Sequence, residues 1–163
     1  LFTLEHSARV ERLQVLDIAP VAYSHSHAPF LEALMEVDLA GLKSRSEADR
    51  KLQAVIPDNA TRLFLLQNLS GSAGAYTWRI NLPVLHKFMP QITGFPEVHN
   101  SVANKALFIA GELSDYVLSR HHAGILELFP NSQFISIADA GHWLHVEQPQ
   151  RVLEVVSEFA VHD

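Results

Sequence analysis

Lys105-Ala106-Leu107-Phe108-Ile109-Ala110-Gly111 is an almost unbroken apolar run that ends on glycine. A run of this length and composition predicts a strand buried on both faces, as in a parallel sheet. Two further segments with strand patterns lie before and after it, and the later one alternates apolar and polar residues. Leu13 to Pro20 predicts an earlier strand, also buried on both faces, and Gln133 to Ala138 predicts a later one.

Helical patterns separate and follow the later strands. Residues 119–129 carry apolar side chains at helical spacing, and Pro130 stops that pattern. Pro149 suits the first turn of a final helix, where its missing N–H costs nothing. Strand, helix, strand and helix joined by short connections predict the α/β class with a parallel sheet.

The middle of the chain is different, because residues 21–98 contain no strongly apolar strand. Apolar residues recur there at helical spacing. Ser46-Glu47-Ala48-Asp49 predicts a capping box that opens one helix, and Asp58 predicts the cap of the next. Leu82 to Phe88 predicts a short helix stopped by Pro90. The segment therefore reads as a mostly helical insertion, far longer than an ordinary connection between two strands.

These patterns divide the chain into two parts. We expect residues 1–20 and 99–163 to form the α/β part, with 21–98 as the insertion. An insertion of this kind usually covers a site at the strand ends, so a cap or lid is expected.

Composition limits the function classes. The 163 residues carry 12 Lys+Arg and 18 Asp+Glu, a net charge of −6, and no cysteine. Without cysteine there is no disulfide, thiolate nucleophile or cysteine-ligated metal. A net negative chain without Lys/Arg runs is a poor candidate for nucleic acid or anionic membranes. No apolar stretch reaches the roughly 20 residues of a membrane helix. The lack of cysteine favours a cytoplasmic location, and the oligomeric state stays open.

His142 is the first candidate for catalysis. It follows a predicted strand on the glycine-containing turn Asp139 to His142 and precedes the final helix, where α/β folds place ligands. An imidazole can accept and release a proton near neutral pH, which suits a general base. The alternative is a histidine on a surface loop. His25-Ser26-His27 and His121-His122 lack acidic partners at ligand spacing, so no metal is expected.

The segment Gly141 to Pro149 resembles the histidine motif of the α/β-hydrolase superfamily. Leu16 to Pro20 resembles the end of that family's sixth strand, and Phe108 to Gly111 resembles its seventh. Phe64 to Leu69, together with Trp78 to Asn81, is similar to a branch of esterases with a small cap. The resemblance implies the C-terminal portion of an α/β-hydrolase fold, with parallel strands, flanking helices and a helical cap insertion.

The resemblance also implies roles for individual residues. His142 would be the catalytic base, and the acid that orients it would be Asp17 at the end of the sixth strand. The family often places the acid where Ser114 stands here, so Asp115, one residue later, is the alternative. With Asp17 as the acid, Ser114 would face the histidine as a supporting hydrogen-bond partner.

The Gly-x-Ser-x-Gly elbow that carries the family's nucleophile is not found in the sequence. Gly71-Ser72-Ala73-Gly74 has the wrong spacing, and the chain starts at Leu1 without methionine. Leu1 to Glu5 resembles the helix that follows the elbow. We therefore expect the C-terminal part of a hydrolase that lacks its nucleophile and is inactive alone.

The expected parent is a serine hydrolase that cleaves carboxylic esters or thioesters of small acyl groups, without a cofactor. Alternatives are dehalogenase or C–C hydrolase chemistry, or a non-catalytic ligand-binding protein of the same fold. Four aromatic residues could line an acyl pocket or simply pack in the interior: Trp78, Phe88, Tyr116 and Trp143.

Overall fold

The computed structural model describes residues 1–24 and 26–161. The chain falls into two compact units. The first consists of Leu1–Val21 and the chain from Pro96 onward, and the second is Ala22–Phe95. Each unit has its own secondary structure and its own core.

The first unit is built on a parallel sheet. In chain order it contains α1 (Phe2–Glu5), a 3-10 turn (Ser7–Arg9), β1 (Arg12–Leu16), β4 (Lys105–Gly111), α6 (Ser119–Leu128), β5 (Ser132–Ile137), α7 (Leu144–Glu147) and α8 (Pro149–Val161). The strand order is β1-β4-β5, and both pairings are parallel. Phe108 in β4 pairs with Val15 on one side and Phe134 on the other. The predicted α/β class with a parallel sheet and flanking helices is confirmed.

The position of β4 between two other strands explains why its sequence is almost entirely apolar. Leu107 and Ile109 pack in a buried cluster with residues of β5, α7 and α8. Phe108 points the other way, and its ring lies 6.1 Å from that of Phe129 and 5.9 Å from that of Phe134. Both faces of the strand are therefore covered, and each fully buried side chain of this size contributes about 1.5–3 kcal/mol.

The first strand differs from the prediction in burial and length. β1 is half-buried, and Leu16 is 37 % exposed. The prediction that both faces of this strand are enclosed is therefore wrong. The strand lies at the edge of the three described strands, so one β1 edge pairs with β4 and the other pairs with no described strand. It ends at Leu16 rather than Pro20, because Asp17 adopts a left-handed backbone (φ 49°) that cannot continue a strand.

The second unit is mainly helical. It contains α2 (Ala28–Met35), α3 (Arg45–Leu52), α4 (Asn59–Leu66), β2 (Leu69–Ser70), β3 (Thr77–Trp78) and α5 (Leu82–Thr93). β2 and β3 form a two-stranded antiparallel ladder in which Leu69 faces Trp78. Buried side chains from all four helices and from Leu69 form one core.

Of the two helix starts predicted in this unit, one lies elsewhere and one is confirmed. The capping box lies two residues earlier than expected: the Ser44 hydroxyl accepts from the Glu47 N–H, and the Glu47 carboxylate accepts from the Lys43 N–H. The cap predicted at Asp58 is confirmed, with its carboxylate 2.6 Å from the Thr61 nitrogen.

The helix predicted to stop before Pro90 instead continues through it as α5. Proline removes one backbone donor, but the buried neighbour Met89 packs in the core of the unit and keeps this turn helical. Among the described residues, every helix is too short or too polar to cross a membrane.

Candidate active site

Three polar side chains meet at the carboxyl ends of the parallel strands. Asp17 directly follows β1, Ser114 lies three residues after β4, and His142 lies between β5 and α7. This edge of a parallel sheet is where α/β folds place their functional groups. The turn before His142 needs a left-handed residue, and Asp139 supplies it with φ 55°.

The central contact joins a buried carboxylate to a partly exposed imidazole. The Nδ1 atom of His142 lies 2.8 Å from Oδ2 of Asp17. The side chain of Asp17 is 1 % exposed, whereas that of His142 is 45 % exposed. Because an ionised carboxylate can only accept, Nδ1 carries the proton and Nε2 is left as the basic nitrogen.

Two more donors satisfy the buried carboxylate. The Gly111 N–H donates to Oδ1 of Asp17 at 3.0 Å, and the Ser114 hydroxyl donates to Oδ2. A carboxylate removed from water is costly unless its oxygens accept hydrogen bonds. Here both oxygens do so, which keeps Asp17 aimed at the histidine.

The role expected for Ser114 changes in one respect. Its hydroxyl bonds to Asp17 and does not take the histidine as its partner, so it supports the acid rather than the base. Asp115, the alternative acid, is exposed, and the partner of His142 Nδ1 is Asp17. The one-residue step from Ser114 to Asp115 turns the side chain away from the buried cluster.

Carboxylates also hold the loop that carries His142. The Gly141 N–H donates to Glu147 Oε2 at 2.6 Å, and the Asp139 N–H donates to Glu112 Oε2 at 3.1 Å. No sequence pattern identifies a role for either glutamate. Glu147 lies inside the histidine motif Gly141 to Pro149, but its return onto Gly141 depends on the single turn of α7.

Tyr116 packs directly against the histidine. The two rings are stacked, with centroids 4.0 Å apart and planes 19° from parallel. Burial, followed by the nearby charge of Asp17, raises the pKa of the Tyr116 phenol above its ordinary value, so the ring stays neutral. From the sequence, Tyr116 is only one of four aromatic residues that could line an acyl pocket or pack in the interior.

The histidine pairs considered for metal binding have other surroundings. His121 Nδ1 accepts from the Leu118 N–H, and the ring of His122 stacks on Phe134 with centroids 3.9 Å apart. His25 lies outside the described residues. Within the described part of the chain, no group of three or more His, Asp or Glu side chains is placed to hold a metal ion.

A parallel sheet whose strand ends present a buried aspartate bonded to a histidine is the arrangement of the α/β-hydrolases, and the chain belongs to that superfamily. The resemblance stated from the sequence is thereby confirmed. No family model matches the chain.

The individual relatives are esterases and lipases. The chain is 36 % identical to the sn-1-specific diacylglycerol lipase ABHD11 of Mus musculus, over 98 % of this chain and 54 % of that protein. It is 31 % identical to the esterase YbfF of Escherichia coli (strain K12), over 94 % of this chain and 59 % of that protein. A solved structure described as a marine microorganism esterase superposes with a TM-score of 0.88 and 35 % identity, over 97 % of this chain and 64 % of that one.

The chain spans about half the length of the curated relatives it matches.

Proposed function

We propose that this chain supplies the base and the acid of a serine hydrolase that cleaves carboxylic esters or thioesters of small acyl groups. His142 is the base, Asp17 the acid, and Ser114 supports the acid. The observation that carries the proposal is the 2.8 Å contact between the buried carboxylate of Asp17 and the accessible imidazole of His142. A buried acid bonded to an accessible imidazole is the arrangement that general-base activation of a hydroxyl requires.

In the proposed reaction, His142 Nε2 takes the proton of a serine hydroxyl as that serine attacks the acyl carbonyl. The charged imidazolium is stabilised by Asp17, which also holds the ring in the required tautomer. His142 then protonates the leaving alcohol or thiol. In the second half, His142 takes a proton from a water molecule as that water attacks the acyl carbon, and it returns the proton to the serine oxygen as the carboxylic acid is released.

The nucleophile is proposed to lie outside these 163 residues. No Gly-x-Ser-x-Gly elbow occurs in the sequence, and the matched relatives are about twice as long as the matched region. The oxyanion-hole amides belong with the elbow and would come from the same region.

The ester substrate class is proposed from the similarity to proteins named as esterases and a lipase. The predicted insertion, residues 21–98, is proposed as a cap that selects the acyl group. It leaves the sheet just after Asp17 and returns before β4, the strand paired with β1. No cofactor is part of the proposed reaction. The cytoplasmic location stays a prediction.

The test uses the full-length protein that carries this chain, with ester hydrolysis and fluorophosphonate labelling as readouts. His142→Ala should lower the hydrolysis rate by about 10²–10⁴-fold and slow the labelling, because the serine loses its base. His145→Ala, an exposed histidine in α7, is the matched control and should keep the wild-type rate.

Peptide mapping of the fluorophosphonate adduct provides a second criterion. The modified serine should fall outside the 163 residues. A wild-type rate in His142→Ala, or an adduct on a serine of this chain, would contradict the proposal.

A further inference from the structure

The imidazole of His142 is much less buried than the carboxylate of Asp17, its hydrogen-bond partner. Its side chain is 45 % exposed, and the hydrogen bond from Nδ1 to Asp17 fixes one ring atom. The ring can still rock about its Cβ–Cγ bond, because a hydrogen bond tolerates some change of angle. Such rocking moves Nε2, the nitrogen on the far side of the ring, away from a reacting proton.

Tyr116 supplies a second constraint, perpendicular to the first. The near-parallel rings, with centroids 4.0 Å apart, place the phenol across one face of the imidazole. A stacked ring opposes the rocking that the hydrogen bond leaves free. Its π face also favours the positive charge that the imidazole acquires when it takes a proton.

The segment 114–116 connects both members of the pair. The Ser114 hydroxyl donates to Asp17 Oδ2 and accepts from the Tyr116 N–H at 3.2 Å. The contacts therefore form a closed ring, from His142 to Asp17, to Ser114, to Tyr116 and back to His142. Serine at one end of the segment holds the acid, and tyrosine two residues later holds the base.

We propose that Tyr116 is a positioning residue that sets the plane of the His142 imidazole by stacking, so that Nε2 points at the reacting hydroxyl. The inference rests on the proposed function for the reaction itself, while the stacking can be tested without any activity. The aromatic ring is the acting group, and the hydroxyl of Tyr116 is not needed for this role.

The kinetic experiment compares Tyr116→Leu with Tyr116→Phe in the full-length protein. Loss of an aromatic pair should lower kcat by about 2- to 12-fold in the leucine variant, with KM within about twofold of wild type. Tyr116→Phe keeps the ring, so its kcat should equal that of the wild-type protein. A wild-type kcat in Tyr116→Leu, or an effect on KM alone, would overturn the inference.

A spectroscopic readout separates positioning from general structural damage. A ring stacked on the imidazole shifts the carbon-bound protons of His142 upfield in the NMR spectrum of histidine-labelled protein, and the His142→Ala spectrum assigns these signals. The shift should persist in Tyr116→Phe and disappear in Tyr116→Leu. Its absence from the wild-type protein would overturn the inference even if the leucine variant did not fold.

The outcomes also separate the inference from the proposed function. If His142→Ala is inactive and Tyr116→Leu has the wild-type kcat, the positioning role fails and the hydrolase proposal stands. If His142→Ala retains full activity, the hydrolase proposal fails, and a stack seen by NMR then has no catalytic role.

Discussion

Asp17 combines a structural and a chemical task in one residue. Its left-handed backbone ends β1, and its N–H donates to the Ile109 carbonyl at 2.7 Å, which ties the turn to β4. Its side chain then reaches Gly111, Ser114 and His142. Aspartate and asparagine tolerate the left-handed region better than other residues with a side chain, so the turn and the carboxylate are compatible.

Asp17→Asn should preserve the fold and remove the chemistry. The asparagine oxygen can still accept from the Gly111 N–H, but its amide group would then face His142 Nδ1. The imidazole would have to accept at Nδ1 and carry its proton on Nε2, which is the wrong tautomer for a base. We expect kcat for ester hydrolysis to fall by about 10³–10⁴-fold, as in comparable acid–histidine pairs.

The matched control for this substitution is Asp115→Asn, at the alternative acid position. Asp115 is exposed, so its neutral variant should hydrolyse esters at the wild-type rate. Circular dichroism and thermal unfolding would verify that both variants fold. If Asp115→Asn caused the larger loss of kcat, the assignment of the acid would be wrong.

At the level of elements, the end of β4 and the loop after β5 approach each other closely at Gly111. A Cβ atom at Gly111 would overlap the carbonyl oxygens of Ala140 and Gly141. These carbonyls immediately precede His142, so the missing side chain sets the height of the histidine loop above the sheet. The same glycine donates its N–H to Asp17. The end of β4 therefore positions both Asp17 and the loop that carries His142.

Gly111→Ala should therefore destabilise the protein and impair the site together. Overpacking at such a contact costs about 1–3 kcal/mol, and the shifted loop should lower kcat as well. Gly124→Ala is the control: Gly124 lies in α6 with no atom within 4 Å of an added Cβ. Gly124→Ala should raise the free energy of unfolding by about 0.4–1 kcal/mol and leave the activity unchanged. Urea unfolding measures both changes, and a Gly111→Ala protein as stable as wild type would refute the close-contact explanation.

The elements that the sequence predicts well are those whose apolar pattern is a direct consequence of burial. β4 has the predicted bounds, and α8 begins at the predicted Pro149, because both are covered by the same core. Predictions failed where local chemistry competes with packing. α5 passes through Pro90 because the neighbouring Met89 is buried in the core, and propensity alone cannot register that contact.

For the molecule as a whole, the candidate site is predictable partly from strand position and partly from family resemblance. Position after a predicted strand identifies His142, because α/β folds place ligands at the carboxyl ends of their strands, whereas Asp17 and Ser114 follow from the resemblance to the α/β-hydrolases. The stack of Tyr116 and the bond from Gly141 to Glu147 depend on side-chain direction in short loops. A sequence pattern of period 2 or 3.6 carries no information on such directions.

Helix α5 of the second unit bears an apolar stripe that the core of that unit does not cover. Val84, Phe88 and Ile92 recur every four residues on this helix and are 46 %, 44 % and 57 % exposed. Residues four apart lie on one face of a helix, so the three side chains form a continuous surface. If residues 21–98 act as a cap, this surface is suited to contact the acyl chain of a substrate.

We therefore expect Phe88→Ala to change acyl selectivity rather than basal chemistry. In the full-length protein, kcat/KM for a hexanoate ester should fall by about 4- to 15-fold, which corresponds to lost contact with one or two methylene groups. The value for an acetate ester should stay within about twofold, because a single methyl group has little apolar surface to lose. Arg50→Ala, an exposed polar position in α3 of the same unit, should leave the ratio of the two values unchanged. A surface that contacts the acyl chain must distinguish chains of different length. If Phe88→Ala left the ratio of the hexanoate and acetate kcat/KM values unchanged, the α5 stripe would therefore have no part in substrate selection.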